Sequence, residues 1–440
     1  MQGVWAAGQA AARLCRGLCF VALWYSSICA GFLFIFCPLL PLALLHQKLY
    51  RTITDVVFSM WELYPTALME CVLGVRIVVT GDAVRAAEHG LLVMNHRTRT
   101  DWNFLWAAMF HASQPAAHRL KIVLKEPIRH IPGPGWVMQL TCFMFIHRCW
   151  EKDQQLLATV LDYLHDINHT CQVLLFPEGT DLTEGSRQRS HNYADSHGLP
   201  HYQYVLHPKT TGFTFLAQRM RYNGHLDAVY DMTVGYPCSV PQQETDLLKG
   251  NFPHEVHFHV KRYPVSDLPT GDPELRQWLS RVWQNKENLL RDFHTRGGSF
   301  SRATTPVGTS PPGSGTTPVL PSPDYSGLEP LDSSPSKSLS CTPAAPEHSN
   351  LKGPVLHSNA LYLALAFWTL LSLLLVAALA FSSIVRWWAL WNVLLFFTIS
   401  TFSEGAHLLE IRFFHFKRRI LGQSIQHRMK NGKTEVCKQN

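Results

Sequence analysis

The chain has 440 residues, of which 46% are hydrophobic and only 16% charged, and its net charge is +7 with neutral histidines. So little charge is unusual for a soluble protein and indicates a membrane protein with a water-exposed domain. Its eleven cysteines include no CxxC pair, so the sequence indicates neither a metal site nor a disulfide scaffold.

The first predicted element is an apolar segment, residues 18–45, that contains no charged residue. It exceeds the roughly 20 residues with which a helix spans a bilayer, and it is too long for a signal peptide. We therefore predict an uncleaved membrane anchor after an N-terminal segment of residues 1–17. Whether the anchor spans or re-enters the membrane stays open. Residues 46–74 are amphipathic to apolar, and we expect them to lie on the membrane face.

Residues 75–296 alternate between short apolar runs and helical patterns. Helices are predicted at residues 102–111, 156–166 and 273–294, and strands at the runs RIVVTG, GLLVMNH, LKIVLKEP, FMFIHR, QVLLFPEG and HEVHFHVKRYP. Strands that alternate with helices predict an α/β domain with a mixed sheet flanked by helices.

The C-terminal third changes character. Residues 297–358 contain eleven prolines and are predicted to be a disordered Pro/Ser/Thr-rich linker, because they cannot bury enough surface to offset the entropy of ordering. Residues 360–403 hold two apolar runs joined by a very short turn, which predicts a membrane hairpin of two helices.

A basic tail, residues 404–440, follows the hairpin. Residues 411–440 hold eight Lys or Arg against a single acid, Glu435. The positive-inside rule then assigns the tail to the cytosol, and the catalytic domain with it. Nucleic-acid binding is the other interpretation of such a run, but no nucleic-acid motif accompanies it, so we expect no nucleic-acid partner.

The string NHRTRTD follows the apolar run GLLVM and contains His96 and Asp101. A neutral histidine near a hydroxyl takes its proton during attack, and a carboxylate on the other ring nitrogen fixes the tautomer and stabilises the imidazolium. The alternative for any single histidine is a surface or satisfied core residue. Placement at a strand end favours catalysis, because α/β sheets carry active sites there.

Two further strings follow apolar runs. FIHR ends with Arg148, whose planar guanidinium suits a phosphate because it donates two parallel hydrogen bonds; the alternative is a solvated strand end. In FPEGT, residues 176–180, Gly179 lets the backbone approach a ligand closely. Glu178 is suited to bind a substrate hydroxyl or to anchor Arg148, and Thr180 to donate to phosphate. The alternative is an ordinary strand-exit turn.

In this order, NHxxxxD, FIxR and FPEGT resemble the first three motifs of the glycerophosphate acyltransferase superfamily, and residues 205–208 correspond to its fourth. DWNFLW, EGTDLTEGSRQRS, LHPKTTGFTF and DAVYDMTVGYP narrow the resemblance to the lysocardiolipin acyltransferase branch of the acyl-CoA:lysophospholipid acyltransferases. The resemblance extends over about residues 30–295.

The resemblance implies an α/β acyltransferase domain at residues 75–296 whose catalytic pair is His96 and Asp101. Two departures from the family pattern bear on acceptor fit: Arg129 replaces a common lysine, and the following segment is GPGW rather than GFGW. Four residues would bind the phosphoglycerol of the acceptor: Arg148, Glu178, Gly179 and Thr180.

The implied reaction reacylates the free glycerol hydroxyl of lysophospholipids such as lysocardiolipin, lysophosphatidylinositol and lysophosphatidylglycerol. The hydroxyl attacks the acyl-CoA thioester directly, since no GxSxG nucleophile elbow is present. Acyl-CoA is then a co-substrate, and no cofactor or metal is expected. The resemblance also implies a multi-pass protein of the endoplasmic reticulum membrane, and no protein partner is indicated.

Three alternatives remain. A lysophosphatidic acid acyltransferase shares every catalytic string and differs only in the acceptor pocket. A membrane hydrolase or phosphatase needs a nucleophile or metal ligands near His96, and the sequence shows neither there. A non-catalytic scaffold working through its linker and basic tail predicts decay of the motif residues, which are intact. The acceptor headgroup, the preferred acyl chain and the oligomeric state stay open.

Overall fold

The computed structural model describes residues 2–114, 119–300 and 354–420. Most of the predicted linker and the end of the basic tail therefore lie outside the described residues. The first residues of the predicted linker are part of the folded domain, because Phe300 is buried with its ring 4.5 Å from that of Phe293.

The strands confirm the predicted mixed sheet. They are β1 (Arg76–Gly81), β2 (Val84–Arg85), β3 (Gly90–Met94), β4 (Ser113–Gln114), β5 (Leu120–Lys125), β6 (Met144–Ile146), β7 (Gln172–Leu175), β8 (Ala228–Gly235) and β9 (Glu255–Pro264). Seven of them form one sheet in the order β1-β9-β8-β3-β7-β5-β6, while β2 and β4 form a separate ladder. Only β8 and β9 pair antiparallel within that sheet.

Helices cover the sheet and extend from both ends of the chain. Their bounds are α1 (Gln2–Gly31), α2 (Cys37–Leu45), α3 (Gln47–Ala67), α4 (Asp101–Ala112), α5 (Pro134–Leu140), α6 (Trp150–Asp166), α7 (Glu184–His197), α8 (Thr210–Tyr222), α9 (Glu244–Leu248), α10 (Asp272–Thr295), α11 (Pro354–Phe381) and α12 (Ser383–Phe402). Residues 406–420 are also helical and form α13. The helices α5, α7 and α8 and the strand β8 were not among the predicted elements.

The central strands decide where the site lies. Every residue of β3 and β8 is buried, because β3 lies between β7 and β8 with further strands beyond on each side. Strands β3, β6, β7 and β8 run in the same direction, so their carboxyl ends meet at one edge of the sheet. The segments that hold His96, Arg148 and Glu178 follow β3, β6 and β7.

Within the described ranges, three helical segments are long and apolar enough to cross a membrane: Gly8–Leu45, Asn359–Phe381 and Ser383–Phe402. They confirm the predicted apolar N-terminal anchor and C-terminal hairpin. The first combines α1 and α2 through a π-helical turn, Phe32–Phe36, and it begins ahead of the predicted boundary at residue 18. Ser382 alone separates α11 from α12.

Helix α3, predicted to lie on the membrane face, instead packs between α4 and α11. Two of its charged residues, Arg51 and Asp55, are buried because they find partners inside: Arg51 pairs with Glu410 of α13, and Asp55 with Lys121 of β5. Val56 and Met60 are exposed on the opposite side. Membrane contact therefore stays a prediction for that side of the helix alone.

Candidate active site

The loop after β3 is held against the neighbouring strand β8. Asn95 is buried and bonds Val234 twice: its side-chain nitrogen donates to the Val234 carbonyl at 3.1 Å, and its oxygen accepts from the Val234 amide at 2.9 Å. The loop then turns into α4, whose first residue is Asp101. The position of His96 is thus determined on both sides by regular structure.

His96 and Asp101, the predicted pair, are brought together. The His96 Nδ1 atom lies 3.0 Å from Asp101 Oδ2. That carboxylate is fully buried and accepts three further bonds: from the Thr98 amide at 3.0 Å, from the Thr98 hydroxyl at 3.4 Å and from the Tyr236 hydroxyl at 2.6 Å. A carboxylate acts only as an acceptor, so Nδ1 carries the proton and Nε2 keeps its lone pair.

The surroundings of His96 favour its protonated form. Burial alone lowers the pKa of His96, but the hydrogen bond and charge of Asp101, with smaller help from Glu178 and Asp181, raise it above its ordinary value. Its side chain is still 21% exposed, and its ring lies 4.6 Å from that of Phe176. The His96 ring therefore remains accessible from outside.

The FPEGT turn lies beside the histidine. The Gly179 amide donates to the Phe176 carbonyl at 3.0 Å, and the Leu182 amide donates to the His96 carbonyl at 2.8 Å. Gly179 has a φ of +72°, a conformation that favours glycine. A backbone hydrogen bond therefore joins the segment after β7 to the segment after β3.

Glu178 points inward from this turn. Its Oε1 accepts from the Trp283 indole at 3.2 Å, and burial raises the pKa of Glu178 to about 7. The structure corrects the expectation that Glu178 anchors Arg148. The Arg148 guanidinium instead donates to the Gly179 carbonyl at 2.8 Å.

Arg148 and Thr180 complete the predicted set. Arg148 is exposed and follows β6 with a φ of +63°, which is uncommon for a residue with a side chain. The Thr180 hydroxyl donates to Asp181 at 3.3 Å. The structure thus gathers all six predicted residues at one edge of the sheet. The segments that follow β3 and β7 are joined by a backbone hydrogen bond, and Arg148 reaches the second of them from the segment that follows β6.

The fourth motif, residues 205–208, packs against this turn. The amide of Lys209 donates to the Pro177 carbonyl at 2.8 Å, while the amide of Val205 donates to the buried Glu287 carboxylate of α10 at 3.2 Å. Sequence reasoning named neither Glu287 nor Trp283. Both lie on the inner face of α10, where the pattern indicated only an amphipathic helix.

The two departures from the family pattern lie in different environments. The Arg129 side chain is almost fully buried and donates to Glu126 and to the Ser403 carbonyl, each at 2.8 Å. It therefore connects the sheet domain to the end of the helical hairpin. Pro134, from GPGW, begins α5 and lines an apolar pocket.

That pocket lies between α1, α3, α4, α5 and α11. Its wall includes Trp102, the residue next to Asp101, and Trp368 of the hairpin. The rings of Trp24 and Trp102 are 5.4 Å apart. The lining is almost entirely apolar, so a ligand that binds there must be apolar as well.

No metal site is apparent in the part of the chain that the structure describes. Among these residues, no group of three or more His, Cys, Asp or Glu side chains is arranged to hold an ion. Catalysis without a metal stays a prediction.

The sequence matches the acyltransferase family over residues 76–237 and the acyltransferase C-terminus family over residues 246–321. Over 279 residues it is 44% identical to lysocardiolipin acyltransferase 1 of Mus musculus. The matched region is 63% of this chain and 74% of the mouse protein. The sequence is 39% identical to lysophosphatidylinositol acyltransferase 10 of Caenorhabditis elegans over 63% of this chain and 71% of that protein. The crystal structure of the 1-acyl-sn-glycerophosphate acyltransferase of Thermotoga maritima covers 63% of this chain and 98% of its own, with a TM-score of 0.41 and 16% identity.

Proposed function

Since the chain belongs to the lysocardiolipin acyltransferase branch of the acyltransferase family, we propose that it transfers a fatty acyl group from acyl-CoA to the free glycerol hydroxyl of a lysophospholipid. His96 is the general base in this proposal. The observation that supports it best is the His96–Asp101 pair, with Nδ1 held by the carboxylate at 3.0 Å and Nε2 left to accept a proton.

The reaction follows from that pairing. The acceptor hydroxyl gives its proton to His96 Nε2 while its oxygen attacks the carbonyl carbon of the thioester. The buried Asp101 stabilises the imidazolium that forms. The carbon–sulfur bond then breaks, an ester remains on the glycerol, and the CoA thiolate takes the proton back from His96.

The FPEGT turn and Arg148 bind the acceptor in this scheme. Arg148 and Thr180 carry donors suited to a phosphate, and Gly179 lets the backbone approach it. Glu178, with a pKa of about 7, accepts from a glycerol hydroxyl when ionised. The turn is bonded to the His96 carbonyl through Leu182, so a phosphoglycerol bound there lies beside the base.

The apolar pocket supports acyl-CoA as the donor. A long acyl chain needs an apolar channel that reaches the reacting carbon, and the lining of the pocket includes Trp102, which follows Asp101 in the sequence. Pro134 lies in the same wall, so the departure at GPGW bears on the fit of a chain. A lysophosphatidic acid acceptor remains the alternative, because that reaction uses the same base and donor.

We also place the catalytic domain in the cytosol, at the endoplasmic reticulum membrane. Helix α13 carries Arg418, which lies 2.6 Å from Asp166 of the catalytic domain. The two therefore share one side of the membrane, and basic residues favour the cytosolic side. The sequon Asn168–Thr170 is then expected to carry no glycan, and finding one would reverse this orientation.

The test is acyl transfer from labelled oleoyl-CoA by membranes that carry wild-type protein or His96→Ala. The acceptors are lysocardiolipin, lysophosphatidylinositol, lysophosphatidylglycerol and lysophosphatidic acid. We expect the variant to lose roughly 10²- to 10⁴-fold in rate. The matched control is His201→Ala, because His201 also pairs with an aspartate, Asp195 at 2.7 Å, but on the exposed surface.

The outcomes separate the proposals. Transfer to lysophosphatidic acid alone would move the protein to the alternative acceptor. Equal activity in wild type and His96→Ala would remove His96 from its role. A wild-type protein inactive on every acceptor would favour a scaffold.

A further inference from the structure

Two cationic side chains converge on Gly179. The Arg148 guanidinium donates to the Gly179 carbonyl at 2.8 Å. A methyl group placed on Gly179 would lie 3.4 Å from Lys209 Nζ and 3.6 Å from its Cε, so the end of the Lys209 side chain covers this glycine. The backbone of Lys209 is held there by its amide, which donates to the Pro177 carbonyl at 2.8 Å.

Neither cation forms an ion pair with an acidic side chain of residues 2–114, 119–300 or 354–420. By contrast, Arg187 pairs with Glu184, and Arg219 with Asp162. Two uncompensated positive charges beside the same turn repel each other, and an anion bound between them removes this repulsion. The arrangement therefore favours binding of an anionic group.

The backbone is adapted to this arrangement at both positions. Gly179 has a φ of +72° and no side chain, which leaves the space that Lys209 occupies. Arg148 has a φ of +63°, a conformation that residues with side chains rarely adopt. A strained residue aimed at a turn is typical of a ligand site.

We infer that Lys209 is a second ligand of the acceptor's phosphate and makes the enzyme prefer phosphorylated acceptors over neutral ones. This inference rests on the proposed function. Arg148 offers a planar fork to two oxygens, while Lys209 offers a compact charge with three donors. Together they approach one phosphate from two sides of Gly179.

Acyl-CoA also carries phosphates, so the assignment to the acceptor needs its own argument. The Gly179 turn is bonded to the His96 carbonyl through the Leu182 amide at 2.8 Å. The phosphate of a lysophospholipid lies within a few bonds of the hydroxyl that His96 must reach, whereas the phosphates of CoA lie at the far end of its pantetheine arm. A cation beside the base is therefore matched to the acceptor.

The experiment compares full-length wild type, Lys209→Ala and Lys209→Arg in detergent micelles, with KM measured separately for lysophosphatidylglycerol and for oleoyl-CoA. Lys249→Ala is the matched control, because Lys249 is exposed and lies at the end of α9. We expect Lys209→Ala to raise the KM for lysophosphatidylglycerol about 10- to 100-fold, as for loss of a charge-assisted hydrogen bond. In Lys209→Ala, kcat and the KM for oleoyl-CoA should stay within about threefold of wild type. In Lys249→Ala, kcat and both KM values should stay within the same range.

A neutral acceptor provides the specificity test. Monoacylglycerol has the same hydroxyl without a phosphate, so its slower acylation should be unchanged in Lys209→Ala and the preference for lysophosphatidylglycerol should fall. Lys209→Arg should restore most of that preference. An equal loss on both acceptors, or a raised KM for oleoyl-CoA alone, would overturn the assignment.

A binding measurement separates this inference from the reaction itself. Calorimetry of glycerol 3-phosphate binding to His96→Ala, with and without Lys209→Ala, requires no turnover. Binding weakened about tenfold or more by Lys209→Ala supports the site, even where wild type transfers no acyl group and the proposed function fails. Binding that Lys209→Ala leaves unchanged overturns it.

Discussion

Among the residues that the structure describes, two buried aspartates pair with histidines, and their environments differ. At the candidate active site, Asp101 holds His96 Nδ1 at 3.0 Å. Between α3 and the segment that precedes β7, Asp55 holds His169 Nε2 at 2.8 Å. The first histidine is 21% exposed and the second 1%.

The neighbours of the two pairs give the histidines opposite charge preferences. Burial lowers the pKa of His96, but Asp101, Glu178 and Asp181 together raise it above its ordinary value. Burial also lowers the pKa of His169. Asp55 raises this pKa, but the charges of Lys121 and Arg119 oppose Asp55, and the pKa stays below its ordinary value. The same two residue types thus form the candidate base in one place and a structural contact with a lowered histidine pKa in the other.

The largest expected difference comes from the same substitution in each pair. Asp101→Asn should lower kcat roughly 10²- to 10⁴-fold, because the amide no longer fixes the histidine tautomer or stabilises the imidazolium. Steady-state acyl transfer measures this loss, and circular dichroism of the variant checks its fold. An Asp101→Asn protein that is folded and fully active would make the two pairs equivalent.

Asp55→Asn should act on stability instead. It leaves the Lys121 ammonium, which also donates to the Thr141 carbonyl at 2.7 Å, buried without its carboxylate. Breaking one side of a buried ion pair costs about 3–5 kcal/mol of unfolding free energy. Thermal unfolding in micelles should show a lower melting temperature. At temperatures well below that melting temperature, kcat should be near the wild-type value. A normal melting temperature with reduced kcat would contradict this division of roles.

Tyr236→Phe tests the support of the catalytic pair at a smaller scale. It removes the hydroxyl that donates to Asp101 at 2.6 Å, and a hydrogen bond to a charged group contributes about 1.5–3 kcal/mol. We expect kcat/KM to fall about 10- to 100-fold. Tyr230→Phe is the control, since Tyr230 lies on β8, just ahead of Tyr236, and donates to Glu88 at 2.5 Å away from the site. Equal losses in the two variants would remove Tyr236 from the site.

The smallest expected effect is on pH dependence. His96 acts as a base only when neutral, so kcat/KM should rise with pH through its raised pKa. Asp101→Asn removes the main contribution that raises this pKa and leaves burial, which lowers it. The rising limb of the residual kcat/KM should therefore move to lower pH. Glu178→Gln is the control, because Glu178 also has a pKa of about 7. A pH limb that moves only in Glu178→Gln would belong to that carboxyl.

The sequence predicts the geometry of the His96–Asp101 pair well. Parallel strands end at one edge, so residues just after β3, β6 and β7 had to meet, and the spacing from His96 to Asp101 fits a short loop into a helix. Tyr236 and Trp283 were missed as site residues because they come from segments more than 100 positions away. No local pattern records such a contact.

The other pair was not visible in the sequence. Arg51 and Asp55 look like the polar side of a surface helix until Glu410 and Lys121 are known to lie beside them. Helix α7 was missed because its sequence, EGSRQRSHNYADSH, is polar almost throughout and shows no apolar stripe. Partners that are distant in sequence decide the first case, and the missing apolar stripe decides the second.

The ion pair between Arg51 and Glu410 has a consequence for biosynthesis. Its members are 359 positions apart, so at ordinary translation rates Arg51 waits about 20 to 70 seconds for its partner to be made. Until then the third helix cannot bury its arginine without penalty. A ribosome-bound chain therefore matures only when its last described helix emerges. A chain stopped at residue 405 should be digested by protease under conditions that leave the full chain intact, and equal resistance of the two would show that the early helices settle without it.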